Sequence, residues 1–177
     1  MRYRTLLLAA ASAASLASFS SAFAQDAAAG SEVSEIVVTG TRAARSRLET
    51  LAPVDVIDNK TLSRQGNGVE LAQAMANLTP AINFPRPAIT DGSDHVRPAT
   101  LRGLAPDQTL VLINGMRGHV SAVVNVNGGI GRGSTSFDLN TIPAAALGTV
   151  EVLRDGGSAQ YGADAIAGVI NLRLREA

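Results

Sequence analysis

The chain of 177 residues carries 15 basic and 15 acidic side chains, so its formal net charge is zero and gives no basis for binding nucleic acid or anionic lipid. It contains no cysteine, which excludes disulfides, zinc–thiolate sites and cysteine catalysis. Aromatic residues make up only 3% of the chain, too few for the aromatic girdles of a membrane barrel.

Residues 1–24 have the pattern of a secretory signal peptide. Arg2 and Arg4 precede an uncharged run of Leu, Ala and Ser from Leu6 to Phe19, and the small-residue pattern Ala22-Phe23-Ala24 precedes Gln25. The run is too short and too rich in Ala and Ser for a stop-transfer helix, which makes an uncleaved anchor the weaker alternative. We therefore predict cleavage between Ala24 and Gln25 and export of the remaining chain.

Residues 25–52 are predicted to form a flexible tail that contains one β-prone insertion. Small and charged residues dominate the tail, whereas "SEIVVTG" brings Ile36, Val37 and Val38 together. No neighbouring segment offers this strand a partner, and an exposed strand of this kind suits pairing with another chain. The alternative is that it becomes an edge strand of its own domain.

A folded domain is predicted over residues 53–177, because the residue pattern changes at Pro53. "PVDVI" alternates apolar and polar residues as a half-buried strand does. Asp58 can cap a short helix, and Asn67 with Glu70 opens a second helix that ends at Thr79-Pro80.

The middle of the domain predicts a β-hairpin between two long loops. After a short strand at 81–84, the Pro-rich segment 85–99 is predicted to be a loop. The apolar run Leu110–Ile113 then meets Asn114-Gly115, the dipeptide best suited to a two-residue hairpin turn. The Gly-rich segment 121–139 is predicted to be a second, flexible loop.

The last third of the chain predicts one helical turn and two strands. Pro143 to Leu147 reads as a helical turn closed by Gly148, followed by the strand "TVEVLR" and a turn "DGGSAQYG". The strand "GVINLRLR" alternates apolar residues with polar ones. Short strands, small helices and long loops together predict an α+β fold with a small mixed sheet.

Three motifs are similar to catalytic or ligand-binding motifs, but each lacks a feature that such a site needs. "GGIGRGST" has Gly128 and Gly133 at the spacing of a phosphate-binding loop, yet no Lys follows Gly133. His95 and His119 lie in predicted loops without a nucleophile motif, and "DGSD" at 91–94 lacks the spaced carboxylates of a calcium loop. We therefore predict no catalytic residue, no cofactor and no metal.

Three further motifs, in this order, resemble those of the TonB-dependent outer-membrane receptors. They are "EIVVTGTR" at 35–42, "LRGL" with "QTLVLINGMR" within 101–117, and "NTIPAAALGTVEVLRDGGSAQYGADAIAGVINL" at 140–172. The chain resembles the signal peptide, TonB box and plug domain of such a receptor. Asp155-Gly156 departs from the Gly-Pro found in many relatives.

The resemblance implies partners rather than an enzymatic activity. The TonB box, residues 35–40, would pair as an added strand with the C-terminal domain of TonB. The positions that would bind TonB are Ile36, Val37, Val38, Thr39 and Gly40. TonB would transmit energy from the inner-membrane proton gradient, so the receptor itself would perform no covalent chemistry.

The resemblance also implies a C-terminal outer-membrane β-barrel of about 22 strands, with the plug in its lumen facing the periplasm. Arg102 and Arg154 match plug arginines that pair with glutamates of the barrel wall. Without those partners, both guanidinium groups are expected to be exposed or to turn to local carboxylates such as Asp155.

The sequence ends near the last strand of the plug, which leads us to expect a fragment that lacks its barrel. The implied function is active uptake of a scarce nutrient, whether a ferric siderophore, vitamin B12 or an oligosaccharide. The alternative is a stand-alone periplasmic protein that binds TonB in an interaction or signalling role. The sequence does not identify the ligand.

Overall fold

The structure is a computed structural model that leaves the predicted signal peptide and its cleavage site, Ala24 and Gln25, outside the described residues. Val38 and Gly40 of the predicted TonB box also lie outside them. The described residues are 36–37, 39, 45–46, 53–65, 70–86, 90, 92–126, 129–155 and 157–176.

The described residues combine short strands with a few short helices, which confirms the predicted α+β class. The strands are β1 (Ile36–Val37), β2 (Arg45–Ser46), β3 (Val54–Asp58), β4 (Ile82–Asn83), β5 (Thr100–Leu101), β6 (Thr109–Ile113), β7 (Met116–Arg117), β8 (Leu147–Leu153) and β9 (Gly168–Leu174). The α-helices are α1 (Asn59–Gln65), α2 (Leu71–Leu78) and α3 (Ser158–Tyr161). Short 3₁₀ turns lie at Pro106–Gln108, Leu139–Thr141, Ala144–Ala146 and Ala163–Ala165.

A five-stranded mixed sheet organises the domain. Its strand order is β3-β8-β9-β6-β7, so β9 lies in the centre between β8 and β6. The pairing of β6 with β9 is parallel, and the other pairings in this sheet are antiparallel. Two smaller antiparallel pairs, β1 with β2 and β4 with β5, complete the described strands.

The predicted hairpin turn at Asn114-Gly115 is confirmed. Both residues have positive φ angles, +50° and +82°, which a two-residue turn of this kind requires. The turn is also fastened to β9, because the Asn114 N–H donates to the Leu172 carbonyl at 2.9 Å and the Asn114 Oδ1 accepts from the Leu174 N–H at 2.9 Å. The end of the hairpin is therefore fixed to the central strand.

The main hydrophobic core lies between one face of the sheet and helices α1 and α2. Leu62 on α1 and Met75 on α2 are buried against alternate residues of the strands. Val150, Val152, Ile170 and Leu172 supply the sheet side of this core. The intervening strand positions face the other side, where a second, smaller cluster forms around Leu110, Leu112, Leu153 and Val169.

Helix α1 begins as predicted, with Asp58 as its N-cap. The Thr61 N–H donates to the Asp58 Oδ1 at 2.7 Å, which satisfies one of the unpaired donors in the first turn. Hydrogen bonds from the side chain and backbone of Thr61 lower the pKa of the Asp58 carboxyl below its usual value.

We expect Asp58→Ala to lower the free energy of unfolding by about 1 kcal/mol at neutral pH, because α1 loses its cap. The folded-state pKa of Asp58 lies below the unfolded one, so this contribution is present above the unfolded pKa, about 3.9, and disappears as the pH falls through the folded pKa. Urea unfolding of both proteins at pH 7 and pH 2 measures this. Asp58→Asn, which keeps the cap but cannot ionise, is the control and should show a smaller pH dependence.

Two predicted turns in the last third of the chain differ in the structure. Gly148 does not close a helical turn; it lies within β8, at a register shift between Leu147 and Thr149. The predicted turn after Asp155 contains helix α3. Within the predicted loop 121–139, the described residues 121–126 and 129–139 include an antiparallel bridge between Val124 and Thr135. In the described part of the chain, no helix is both long and apolar enough to cross a membrane.

Candidate functional site

Thr39, from the predicted TonB box, is buried against the five-stranded sheet. It contacts Glu151 on β8 and Asn171 on β9, and only 1% of Thr39, 1% of Glu151 and 2% of Asn171 is exposed. Glu151 and Asn171 are directly paired in the strand register, which places their side chains on the same face of the sheet. A residue of the tail therefore covers two polar side chains of the sheet.

The hydrogen bonds within this polar cluster are mutually consistent. The Thr39 N–H donates to the Glu151 Oε2 at 3.0 Å, and the Thr39 hydroxyl donates to the same oxygen. The Asn171 Nδ2 donates to the Thr39 Oγ1 at 3.0 Å and to the Glu151 Oε2 at 3.2 Å. The Asn171 Oδ1 accepts from the Gly115 N–H at 3.0 Å, so the cluster reaches the hairpin turn.

The tail also has a strand partner, which corrects the expectation that its β-prone segment has none nearby. Ile36 pairs with Ser46, and Val37 with Arg45, in the antiparallel pair of β1 and β2. Arg45 and Ser46, which the sequence predicts to lie in a linker of small and charged residues, form β2. The alternative, an edge strand of the domain, does not fit these residues either, because β1 and β2 form a two-stranded sheet separate from the five-stranded one.

Arg102 adopts a left-handed backbone conformation, with φ of +56°, just after β5. Its Nε donates to the Ala167 carbonyl at 3.2 Å and its Nη2 to the Ile166 carbonyl at 3.1 Å. Its Nη1 lies 3.5 Å from the Asp155 Oδ1, so the guanidinium group turns to the local carboxylate that was expected. The side chain remains 39% exposed, which leaves it accessible to a partner.

Arg154 follows β8 and pairs with Asp55 on the neighbouring strand β3. Its Nε lies 2.9 Å from the Asp55 Oδ2, and 43% of the arginine side chain is exposed. Arg102 and Arg154 thus have separate carboxylate partners, Asp155 and Asp55. A partly exposed ion pair of this kind contributes little to stability, and Arg102 is held in addition by its hydrogen bonds to the carbonyls of Ala167 and Ile166.

The other candidate sites contain no catalytic arrangement among the described residues. His95 is 87% exposed in its side chain beside Asp94, and no group of three or more His, Asp or Glu in the described segments is placed to hold a metal. Gly128 lies outside those segments, and the Gly133 N–H is already used by the Asn125 carbonyl at 2.8 Å.

Glu151 and Asn171 were not recognised as site residues from the sequence. The available signal was a polar residue at the matching position of each predicted strand, in "VEV" and "INL". Alternation alone predicts that such residues face solvent. In the structure both side chains are buried and hydrogen-bonded to Thr39, which is 112 positions before Glu151 and 132 before Asn171.

Comparisons with known proteins give a consistent family and fold. Residues 46–169 match the family described as TonB-dependent Receptor Plug Domain. The ferric enterobactin receptor of Pseudomonas aeruginosa, in a mutant form, is 25% identical with a TM-score of 0.53, covering 71% of this chain and 18% of the receptor. The same receptor in complex with BCV-L6 is 26% identical with a TM-score of 0.53, covering 70% of this chain and 18% of the receptor.

A third solved structure, the siderophore receptor PirA from Acinetobacter baumannii, shares the fold. It is 24% identical with a TM-score of 0.50, and the match covers 73% of this chain and 18% of PirA. The chain therefore spans less than a fifth of the length of these receptors. Because the family match extends over more than half of the chain, this protein belongs to the TonB-dependent receptor plug domain family.

Proposed function

We propose that this chain is the plug of a TonB-dependent outer-membrane receptor and acts in nutrient uptake without catalysing a reaction. The family match over residues 46–169 carries the proposal. The plug would lie inside the lumen of a β-barrel, facing the periplasm, and TonB would supply the energy for transport. Among the nutrient classes considered, the solved neighbours favour a ferric siderophore, since they are receptors for ferric enterobactin and other siderophores.

The TonB-binding segment is proposed to be residues 35–40. Ile36 and Val37 already have an extended backbone in β1, and β1 is paired along one edge only within the described residues, with β2. An open strand edge presents main-chain donors and acceptors to an incoming strand. The C-terminal domain of TonB could therefore add its own strand at this edge.

We expect Val37→Pro to weaken binding of the TonB C-terminal domain by about tenfold or more, because proline removes the backbone N–H and cannot donate to an added strand. The five-stranded sheet should keep its stability, since Val37 lies in the separate pair of β1 and β2. Isothermal titration with the isolated TonB domain measures the affinity, and urea unfolding measures the stability.

Val37→Ala is the matched control for this experiment. It removes most of the side chain but keeps the N–H, so its affinity should stay close to that of the unmodified chain. Equal affinity of Val37→Pro and Val37→Ala would show that this segment is not the TonB-binding strand.

Arg102 and Arg154 are proposed to hold the plug in the barrel by pairing with glutamates of the barrel wall. Both side chains are partly exposed, and a guanidinium group can bind a carboxylate with two parallel hydrogen bonds. Their present partners, Asp155 and Asp55, would then be shared or exchanged on assembly.

We expect Arg102→Ala combined with Arg154→Ala to lower the stability of this chain by no more than about 2 kcal/mol, because both ion pairs are partly exposed and the further loss is that of the two hydrogen bonds from Arg102 to backbone carbonyls. In a receptor that contains the barrel, the same double substitution should loosen the plug and lower the urea concentration at which it unfolds. A double variant that unfolds on its own, yet leaves the assembled receptor unchanged, would assign the arginines to the internal fold of the plug.

A further inference from the structure

The hairpin turn Asn114-Gly115 is a dipeptide that is chemically unstable in an unstructured chain. There, the glycine nitrogen attacks the preceding asparagine carboxamide, because no side chain on glycine hinders the approach. The sequence has this dipeptide at Asn67-Gly68, Asn114-Gly115 and Asn127-Gly128, and the pair at 114–115 is the one within the described residues. Both of its residues are exposed to solvent, so its reactivity depends on how the turn is held.

The reaction at this dipeptide is deamidation, and water is its co-reactant. The Gly115 nitrogen loses its proton to a base in the solvent and bonds to the Asn114 Cγ, while the Cγ–Nδ2 bond breaks and ammonia leaves. Water then opens the resulting succinimide ring. Opening at Cγ gives aspartate, whereas opening at the main-chain carbonyl carbon gives isoaspartate, whose main chain runs through Cβ and Cγ.

The attacking nitrogen is held in the folded turn. The Gly115 N–H donates to the Asn171 Oδ1 at 3.0 Å, and only 2% of Asn171 is exposed. The succinimide nitrogen carries no hydrogen, so ring closure breaks this bond and leaves a buried carboxamide oxygen without that donor. Since a buried acceptor without its donor is unfavourable, the fold opposes the first step of the reaction.

The group that would be attacked is held by the same strand. The Asn114 Oδ1 accepts from the Leu174 N–H at 2.9 Å, and the Asn114 N–H donates to the Leu172 carbonyl at 2.9 Å. The carboxamide is thus directed at β9 and must turn away from it to meet the Gly115 nitrogen. Three hydrogen bonds to β9 therefore hold the two reacting groups.

We propose that Asn114 is a latent modification site, which deamidates only when the hairpin turn is released from β9. The deamidation rate in the folded chain then equals the rate in the released turn multiplied by the fraction of molecules in which the turn is released. The amount of aspartate and isoaspartate at position 114 records the time that the hairpin has spent open. This inference does not depend on a binding partner.

The two products have different consequences for the hairpin. Aspartate tolerates a positive φ angle and keeps an acceptor for the Leu174 N–H, so the turn can close again. Isoaspartate adds an atom to the main chain within a two-residue turn, which disturbs the pairing of Ile113 with Met116. Formation of isoaspartate therefore converts a transient opening into a permanent one.

The proposal is tested by following deamidation of the full chain in native buffer and in concentrated urea, at the same mildly alkaline pH. Proteolysis and mass spectrometry of the peptides give the rate at Asn114, with Asn67 and Asn127 as references within the same chain. In urea the three sites should react at similar rates. In native buffer Asn114 should react at least about tenfold more slowly than it does in urea. Equal rates at Asn114 in the two conditions would overturn the proposal.

Leu174→Pro tests the contact with β9 directly, because proline removes the N–H that holds the Asn114 carboxamide. Deamidation at Asn114 in native buffer should accelerate about threefold or more, while amide exchange at Ile170 stays slow. Leu174→Ala keeps the N–H and is the matched control, with an unchanged rate. Equal rates in these two variants would contradict protection by β9. If exchange at Ile170 shows that Leu174→Pro is unfolded, its rate at Asn114 must match that of the unmodified chain in urea, and a slower rate would overturn the proposal.

The consequence of isoaspartate is measured on the refolded products. After urea is removed, molecules with isoaspartate at 114 are separated by chromatography, and their urea unfolding is compared with that of Asn114→Asp. The Asn114→Asp variant should unfold like the unmodified chain, whereas the isoaspartate form should unfold at a lower urea concentration. Equal stability of the two forms would show that the hairpin closes despite the longer main chain.

Discussion

Gly168→Ala is expected to remove a large part of the stability of the folded domain. Gly168 opens the central strand β9 with φ of +144°, a conformation that side chains other than glycine rarely adopt. A Cβ atom there would lie 2.2 Å from the Leu153 carbonyl oxygen and 2.3 Å from the Leu101 Cδ2. Backbone strain and overpacking together should cost about 4 kcal/mol, against a total of about 5–15 kcal/mol for a typical domain.

Gly103→Ala is the control, because it measures the cost of backbone strain without the steric crowding that occurs at Gly168. Gly103 also has a positive φ, +75°, but a Cβ atom built there meets no other atom within 4 Å. Only the cost of the left-handed conformation applies, about 1 kcal/mol. Urea unfolding followed by far-ultraviolet circular dichroism measures both variants, and equal losses would show that the close contact with Leu153 is relieved by a local shift.

Leu172→Ala is expected to lower the free energy of unfolding by about 3 kcal/mol. Leu172 is fully buried in the core between the sheet and helices α1 and α2. It lies on the central strand, so neighbouring strands on both sides limit how far the structure can collapse into the space left by the side chain. Urea unfolding gives the change directly.

Leu174→Ala is the control on the same strand and the same face. Leu174 is 36% exposed at the end of β9, so its truncation should cost about 1 kcal/mol or less. If the two substitutions cost the same, the core would continue to the end of the strand, contrary to the burial of these residues.

Local sequence patterns predicted an element correctly where the interactions that determine it lie within a few residues of one another. Asn114-Gly115 specified a turn because both residues tolerate positive φ, and Asp58 specified the start of α1 because the capped N–H lies three residues away. The strand over Val54–Asp58 followed from its alternation of apolar and polar residues.

The features that the sequence did not predict depend on contacts between residues that are distant from each other in the chain. Nothing near Ile36 indicates that Arg45 and Ser46 will adopt an extended backbone beside it, since a charged and a small polar residue favour a strand only weakly. Alternation predicts that Glu151 and Asn171 face solvent, whereas both are buried and hydrogen-bonded to Thr39, more than 100 positions away. The arginine pairs were partly predicted: Asp155 was expected beside Arg102, whereas the Asp55 partner of Arg154 arises from the pairing of β3 with β8.

The central position of β9 constrains the order in which the domain can be completed. β9 is the last strand in the sequence, yet it joins β8 to β6 and so connects the two halves of the sheet. A chain that is synthesised or exported from its N-terminus has only separate halves until residue 168 and those after it become available. Until then the inner edges of β8 and β6 have no strand partner in the sheet, which favours slow assembly of the sheet and exposes unpaired strand edges in the incomplete domain.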